Sequence, residues 1–328
     1  MRPLSVVRVA AAACAVLVST TALAQQPYPS RTIRILVGFA AGGGVDTVAR
    51  IYATKLQEIL NATIIVENKP GASELLAAMP VIGAAPDGYT LWATSASSLV
   101  RGPGVRSDLP YDPLKNLTFV SRVAEADALY VVKNSLPINT VSELIVYAKA
   151  HPGKLNYGSA GVGSSNHLLT EQLKILTQTD LVHIPFKSDA EVAREMAGGT
   201  LDFAIAITPF TLPFVRDGKI RPIGVTGSQR LATLPAVPTI DESGVGELKG
   251  LGTYLFYGFV GPAGMPAALV QRLNDALTQA ARTPDVAQKL EAISFRAVAG
   301  TPAEFRSLAE RELAKWKEIG KTVKIGNS

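Results

Sequence analysis

Residues Ile33–Leu60 constrain the fold more than any other stretch: an apolar strand, a glycine loop, then an amphipathic helix. The strand reads Ile33-Arg34-Ile35-Leu36-Val37, and the loop Gly38-Phe39-Ala40-Ala41-Gly42-Gly43-Gly44. Val45, Val48, Ala49, Tyr52, Leu56 and Ile59 then recur at helical spacing, with Asp46 in the opening turn. Consecutive glycines let the backbone turn sharply and approach a ligand without side chains in the way. The first N–H groups of the helix lack intrahelical partners and carry the positive end of its dipole. Such a loop binds an anion without needing lysine or arginine.

A second copy follows. Leu155-Asn156-Tyr157 leads into Gly158-Ser159-Ala160-Gly161-Val162-Gly163-Ser164-Ser165-Asn166, and a helix runs on from His167. Serine hydroxyls and free N–H groups suit a carboxylate or phosphate oxygen. The plainer alternative is a turn shaped by glycines, with Ser165 or Asn166 capping the helix. One loop in each expected domain suggests a clamp that closes by a hinge on a ligand polar or anionic at both ends.

The first 24 residues read as a signal peptide rather than as fold. Arg2 and Arg8 form a positive start, Val9 to Val18 a short apolar run, and Ala22-Leu23-Ala24 a cleavage site. That run is short of the roughly 18–20 residues that a membrane span needs. Cleavage after Ala24 removes Cys14, the one cysteine, so the mature chain carries neither disulfide nor thiolate. Export without disulfides points to a bacterial periplasm. Loss of the two arginines also lowers a formal net charge of +5, and no basic block remains to bind nucleic acid.

Strand and helix patterns alternate along the mature chain, which indicates α/β architecture. Strands are expected near Ile33–Val37, Thr63–Glu67, Thr90–Ala93, Phe119–Val123, Ala128–Lys133, Leu155–Gly158, Leu181–Ile184, Phe203–Ile207, Arg221–Val225 and Leu255–Val260. Helices are expected at Val141–Ala150, His167–Thr177 and Glu191–Gly198. The tail adds Pro266–Arg282, Pro284–Ile293 and Pro302–Val323, each opened by proline. At this length two domains are expected. Crossings near Glu125–Val132 and Gly250–Gly258 would make the first lobe discontinuous, residues 25–125 plus 251–328, with 126–250 inserted as the second.

Five strings, in order, carry a family resemblance. They are Val37-Gly38-Phe39-Ala40-Ala41-Gly42-Gly43-Gly44-Val45-Asp46-Thr47-Val48-Ala49-Arg50, Val66-Glu67-Asn68-Lys69-Pro70-Gly71-Ala72, Pro86-Asp87-Gly88-Tyr89-Thr90-Leu91, Leu155-Asn156-Tyr157-Gly158-Ser159-Ala160-Gly161 and Leu234-Pro235-Ala236-Val237-Pro238-Thr239. From about Tyr28 to Lys321 the chain resembles the Bug family of periplasmic solute-binding proteins of tripartite tricarboxylate transporters. The resemblance implies a two-lobed, Venus-flytrap fold of the periplasmic binding protein type, type II-like, with the ligand cleft between the lobes. It implies that Phe39, Ala40, Ala41, Gly42, Gly43 and Asp46 face that cleft from one loop. Ser159, Ala160, Gly163, Ser164 and Asn166 would face it from the other, and His167 opens the helix as a hydrogen-bonding residue or, as the lesser option, contacts the ligand. Phe39 would supply an apolar wall. Asp46 would fix its loop, contact the ligand, or simply favour the helix start. Ser95 and Ser97, after the strand at Thr90, either donate to an oxyanion or sit in a polar surface loop. Pro185, Phe186 and Lys187 follow the Leu181–Ile184 strand, where family members often line the cleft. Phe210, Tyr254 and Phe256 either line an apolar middle or pack in the core.

Three departures from the family pattern bear on the ligand. The Pro-Phe-Lys segment continues with Ser188-Asp189 where glycine is usual. Ala206 stands where relatives often carry an aspartate, which disfavours amino-acid ligands. Glu74-Leu75-Leu76 replaces a glycine-rich stretch.

Catalytic readings lack their signatures. Gly161-x-Gly163-x-x-Asn166 misses the dinucleotide fingerprint at its third glycine, and His183 stands where an acid is needed. Neither a phosphate-loop nor a nucleophile-elbow motif occurs. A Ser/His pair at Ser164–His167 has no evident orienting acid, and no metal-ligand spacing is present. The expectation is therefore a monomeric, non-catalytic receptor with no cofactor. It captures a small organic carboxylate in the periplasm and delivers it to the membrane permease subunits of a tripartite transporter. The alternatives are a receptor feeding a sensor kinase, or a periplasmic enzyme acting on a similar anion.

Overall fold

The computed structural model describes residues 28–71, 74–227, 229–249 and 255–321. The signal-peptide reading and Tyr254 lie outside them. The described residues form two mixed sheets, each backed by helices.

The first sheet begins with β1 (Ile33–Val37), followed by α1 (Gly44–Leu60), β2 (Ile64–Asn68), α2 (Leu75–Ile82) and β3 (Thr90–Ser95). β1 pairs in parallel with both β2 and β3. A π-helical turn, Ser97–Arg101, runs into the short helices α3 (Gly102–Val105) and α4 (Pro113–Asn116), and then into β4 (Leu117–Ala126). Only Asp127 separates β4 from β5 (Ala128–Lys133), the first strand of the second sheet.

That sheet continues through α5 (Val141–Ala150), β6 (Asn156–Ser159), α6 (Ser165–Thr177), β7 (Val182–Pro185), α7 (Asp189–Gly198), β8 (Phe203–Ile207), α8 (Thr208–Arg216) and β9 (Ile220–Val225). The chain then returns to the first sheet with β10 (Leu255–Pro262), α9 (Ala267–Ala281), α10 (Pro284–Ala292), β11 (Phe295–Ala297) and α11 (Pro302–Gly320). The strand orders are β11-β4-β10-β3-β1-β2 and β7-β6-β8-β5-β9. β10 lies antiparallel to β3 and β4, and β5 antiparallel to β8 and β9.

Burial explains the pattern. Ile33, Ile35, Leu36 and Val37 are all buried, as expected of a strand covered on both faces. On α1 the apolar stripe Val45, Val48, Ala49, Tyr52 and Leu56 packs inward, and the Tyr52 hydroxyl donates to the Val123 carbonyl of β4. All ten expected strands are present, shifted at their ends by up to three residues. β11, α2 and α8 were not expected. β11 has three residues, and Pro80 and Pro213 sit inside α2 and α8, where proline normally argues against a helix.

Thr94–Ser98 is not a surface loop. Thr94, Ser95, Ser97 and Ser98 are all buried, at the end of β3 and the start of the π-helical turn.

Candidate functional site

Parallel strands present loops and helix starts at their carboxyl ends, where α/β sheets bind ligands. β1 and β3 in one sheet, and β6, β7 and β8 in the other, direct such ends toward one another. The segments that follow them enclose a cavity of about 20 Å³, room for about one water. Phe39, Val45, Ser95, Ser97 and Tyr257 line it from the first sheet's side. Ala160, Ser164, Ser165, Asn166, Asp189 and Ile207 line it from the second. A wider groove of about 620 Å³ lies by β4, α9 and α11, but no residue of either glycine loop lines it.

The first glycine loop is held by Asp46. Its carboxylate accepts from the Gly42 N–H at 2.9 Å, the Asn68 amide at 2.8 Å and the Arg50 guanidinium at 3.0 Å. The Asn68 amide also donates to the Phe39 carbonyl, tying both ends of the loop to β2. Burial pushes the Asp46 carboxyl's pKa up, but these hydrogen bonds outweigh it and hold the group below the usual carboxylate range. Asp46 thus fixes the loop, and it does not line the cavity. Ala41 and Gly42 are exposed, Ala40 half-buried and Gly43 buried, and none of the four lines the cavity. Gly42 adopts φ +82°, which favours glycine. Gly43 precedes α1 with no side-chain cap, so the start of the helix is left to other partners. Across the cavity the Asp189 carboxyl faces the Gly44 N–H, which offsets part of the burial that raises its pKa.

The second loop is knitted internally. Ser164, rather than Ser165 or Asn166, occupies the cap position of α6, and its hydroxyl makes no capping bond. It donates instead to the Gly161 carbonyl or the Asn166 Oδ1, each at 2.6 Å. Asn166 accepts from the Ala160 N–H through Oδ1, and its Nδ2 donates to Asp189 at 3.2 Å. Ser159 is fully buried behind the loop, bonded to Gly161 and 2.6 Å from Nε2 of His183. His167 accepts from the Gly163 N–H through Nδ1, and its ring lies 4.3 Å from that of His183. Burial lowers the pKa of both histidines, that of His183 to about 4 with further help from His167, so both are neutral at pH 7. Ser159, Gly163 and His167 support the loop from behind and do not line the cavity.

At the end of β3 the Ser95 and Ser97 hydroxyls are 2.8 Å apart, and Ser97 donates to Glu74 at 3.1 Å. Ser98 donates to the same Glu74 oxygen, and Thr94 to the other. Glu74 is 4% exposed, and burial raises its pKa to about 7 against the opposing pull of these hydroxyls and Trp92.

Tyr257 adds a buried hydroxyl to the wall. Burial, followed by the neighbouring Asp189, raises its pKa, while Arg101 acts in the opposite sense. Arg101 is itself buried, which lowers its pKa to about 10 against the opposing pull of Glu312 and Tyr257, so it stays cationic near the Tyr257 side of the cavity.

Six expected residues therefore meet at the cavity: Phe39, Ser95, Ser97, Ala160, Ser164 and Asn166. Pro185 and Lys187 are exposed, and Phe186 packs in the second lobe's core. Phe256 stacks edge-on against Phe305, and the half-buried Phe210 packs on the core. Val45, Ser165, Asp189, Ile207 and Tyr257 were missed. Ser165 was read only as a candidate cap, and Asp189 had one signal, the break in the glycine pattern after Lys187. Val45, Ile207 and Tyr257 are apolar or aromatic residues at strand ends or a helix start, indistinguishable in sequence from core.

Two α/β lobes with glycine loops converging on a cavity between them define a periplasmic binding protein. The chain belongs to the TctC family, the tripartite tricarboxylate transporter family receptors, whose profile matches residues 48–325. It is 36% identical over 292 residues to a "UPF0065 protein in gbd 5'region" of Cupriavidus necator, covering 89% of this chain and 87% of the relative. Among solved structures it resembles R. palustris Rpa4515 with adipate, at TM-score 0.82 and 31% identity, covering 90% of this chain and 98% of that one. It also resembles MatC from Rhodopseudomonas palustris with bound malate, at TM-score 0.83 and 28% identity, covering 89% and 100%. The resemblance drawn from the five strings is borne out. The family is one of periplasmic transport receptors, binding proteins and not enzymes, which sets the enzyme alternative aside.

Proposed function

We propose that this receptor captures a small organic carboxylate between its two glycine loops and hands the closed form to the permease of a tripartite transporter. The observation that carries the reading is the convergence of two helix starts, α1 and α6, neither capped by a side chain, on one serine-lined cavity. Helix dipoles and free N–H groups suit an oxyanion there, and Arg101 adds positive field from the Tyr257 side. The adipate and malate held by the two relatives support a carboxylate over a phosphate.

A cavity of about 20 Å³ is smaller than any such ligand, so binding requires the lobes to part. The lobes divide as 25–125 plus 251–328 against 126–250, and Asp127, the single residue between β4 and β5, serves as one hinge. The chain is exported, cleaved after Ala24, and acts as a monomer.

Thermal unfolding of residues 25–328 with mono-, di- and tricarboxylates, amino acids and nucleotides tests the reading. A cognate carboxylate at 100 times its Kd should add about 2.7 kcal/mol of stability. Stabilisation by nucleotides alone would overturn it.

A further inference from the structure

Asp189 is the one carboxylate among the described residues lining the cavity, and no lysine, arginine or histidine lines it. It is the first residue of α7, following Ser188, whose hydroxyl caps that helix by accepting from the Glu191 N–H. The carboxyl turns across the cleft. It takes a hydrogen bond from Asn166 on its own lobe and faces the Gly44 N–H at the start of α1 on the other. An acid group of the protein thus occupies part of the anion site that the first glycine loop creates.

That placement changes which ligand the cleft favours. A plain dicarboxylate brought to α1 meets a like charge competing for the same N–H, with no cationic side chain in the lining to neutralise it. A carboxylate has about four acceptor positions, and the bond from Asn166 leaves capacity for more. A ligand with a donor beside its own carboxylate turns Asp189 from a competitor into a partner. Burial raises the Asp189 pKa to about 6, so at pH 7.5 the group is mostly ionised and accepts.

We propose that Asp189 is the specificity-determining residue of the cleft, accepting a hydrogen bond from an ammonium or hydroxyl on the ligand's carbon chain. Amino- and hydroxycarboxylates are then bound in preference to plain carboxylates. The inference rests on the carboxylate-receptor reading above and narrows its ligand class.

Calorimetric titration at pH 7.5 with matched probes decides it: succinate, malate and aspartate, then adipate and 2-aminoadipate. In each set at least one donor-bearing member should bind tenfold or more tighter than the plain acid. Aspartate against malate separates ammonium from hydroxyl. In Asp189→Asn this preference should collapse by tenfold or more, through weaker binding of the donor-bearing member. Plain acids binding as tightly as their donor-bearing partners in the unaltered protein would overturn the inference and leave the carboxylate reading standing. So would an Asp189→Asn variant that weakens both members alike. If that variant does not fold, the matched probes on the unaltered protein still decide. If none of the five probes binds to folded protein, this inference fails, and the carboxylate reading is decided separately by the wider panel of mono-, di- and tricarboxylates.

Discussion

Glu74 shows how one residue behind a binding wall governs the response of the whole chain to pH. Burial raises its folded pKa from 4.5 to about 7, so the folded state holds this proton more tightly than the unfolded chain. Stability from this group is full below about pH 4.5 and is lost as pH rises through about 7. Asp189, raised from 3.8 to about 6, acts in the same sense at lower pH. The histidines oppose both: His183 falls from 6.5 to about 4 and His167 is lowered too, so their contribution is present above pH 6.5 and lost in acid. Between pH 6.5 and 8 Glu74 contributes a loss of stability that the histidines oppose. Urea denaturation of the parent should therefore show stability falling more steeply, or rising less, over that range than that of Glu74→Gln. A variant as pH-dependent as the parent would refute the assignment. In sequence Glu74 was only a departure from a glycine-rich pattern, because nothing local reveals that Ser97 and Ser98 fold back onto it.

The elements that build the site were legible wherever their signal is local. β1, the first glycine loop and α1 follow from apolar spacing and glycine, and so do β6, its loop and α6. What spacing did not separate is the work of neighbouring glycines. Gly42 needs φ +82°, whereas Gly43 sits at φ −77° with a would-be Cβ 3.3 Å from the Ala40 carbonyl. Gly42→Val should lose about 1–2 kcal/mol of stability through left-handed strain. Gly43→Leu should remain closer to the parent in denaturation yet bind its carboxylate at least tenfold more weakly, as read by calorimetry. Equal affinity in a folded Gly43→Leu protein would remove that loop from the site. The elements that escaped, α2 and α8, carry internal prolines, and their helices persist because tertiary packing outweighs local propensity. The buried π-helical turn at Ser97–Arg101 also escaped, since four of the five residues Thr94–Ser98 are serine or threonine and suggest solvent.

At the scale of the molecule, the lobes meet too closely in this structure for any dicarboxylate to pass. The mature protein without ligand should therefore scatter X-rays with a larger radius of gyration than this closed form, and a bound carboxylate should reduce it. Identical scattering with and without a ligand shown to bind would argue against hinge closure. The succession of strands and helices, the pair of lobes and the two glycine loops were within reach of sequence, because hydrophobic period and glycine placement are local properties that the fold preserves. Which side chains face the cavity was not. Tyr257 joins it from β10 late in the chain, and Asp189 reaches across to Gly44 from the opposite lobe. Asp46, Ser159 and His167 spend their polar groups on holding the loops. The sequence by itself determined a two-lobed receptor with two anion-seeking loops. Only tertiary structure decided which groups meet between them, because hydrogen-bond partners and burial depend on segments far apart along the chain.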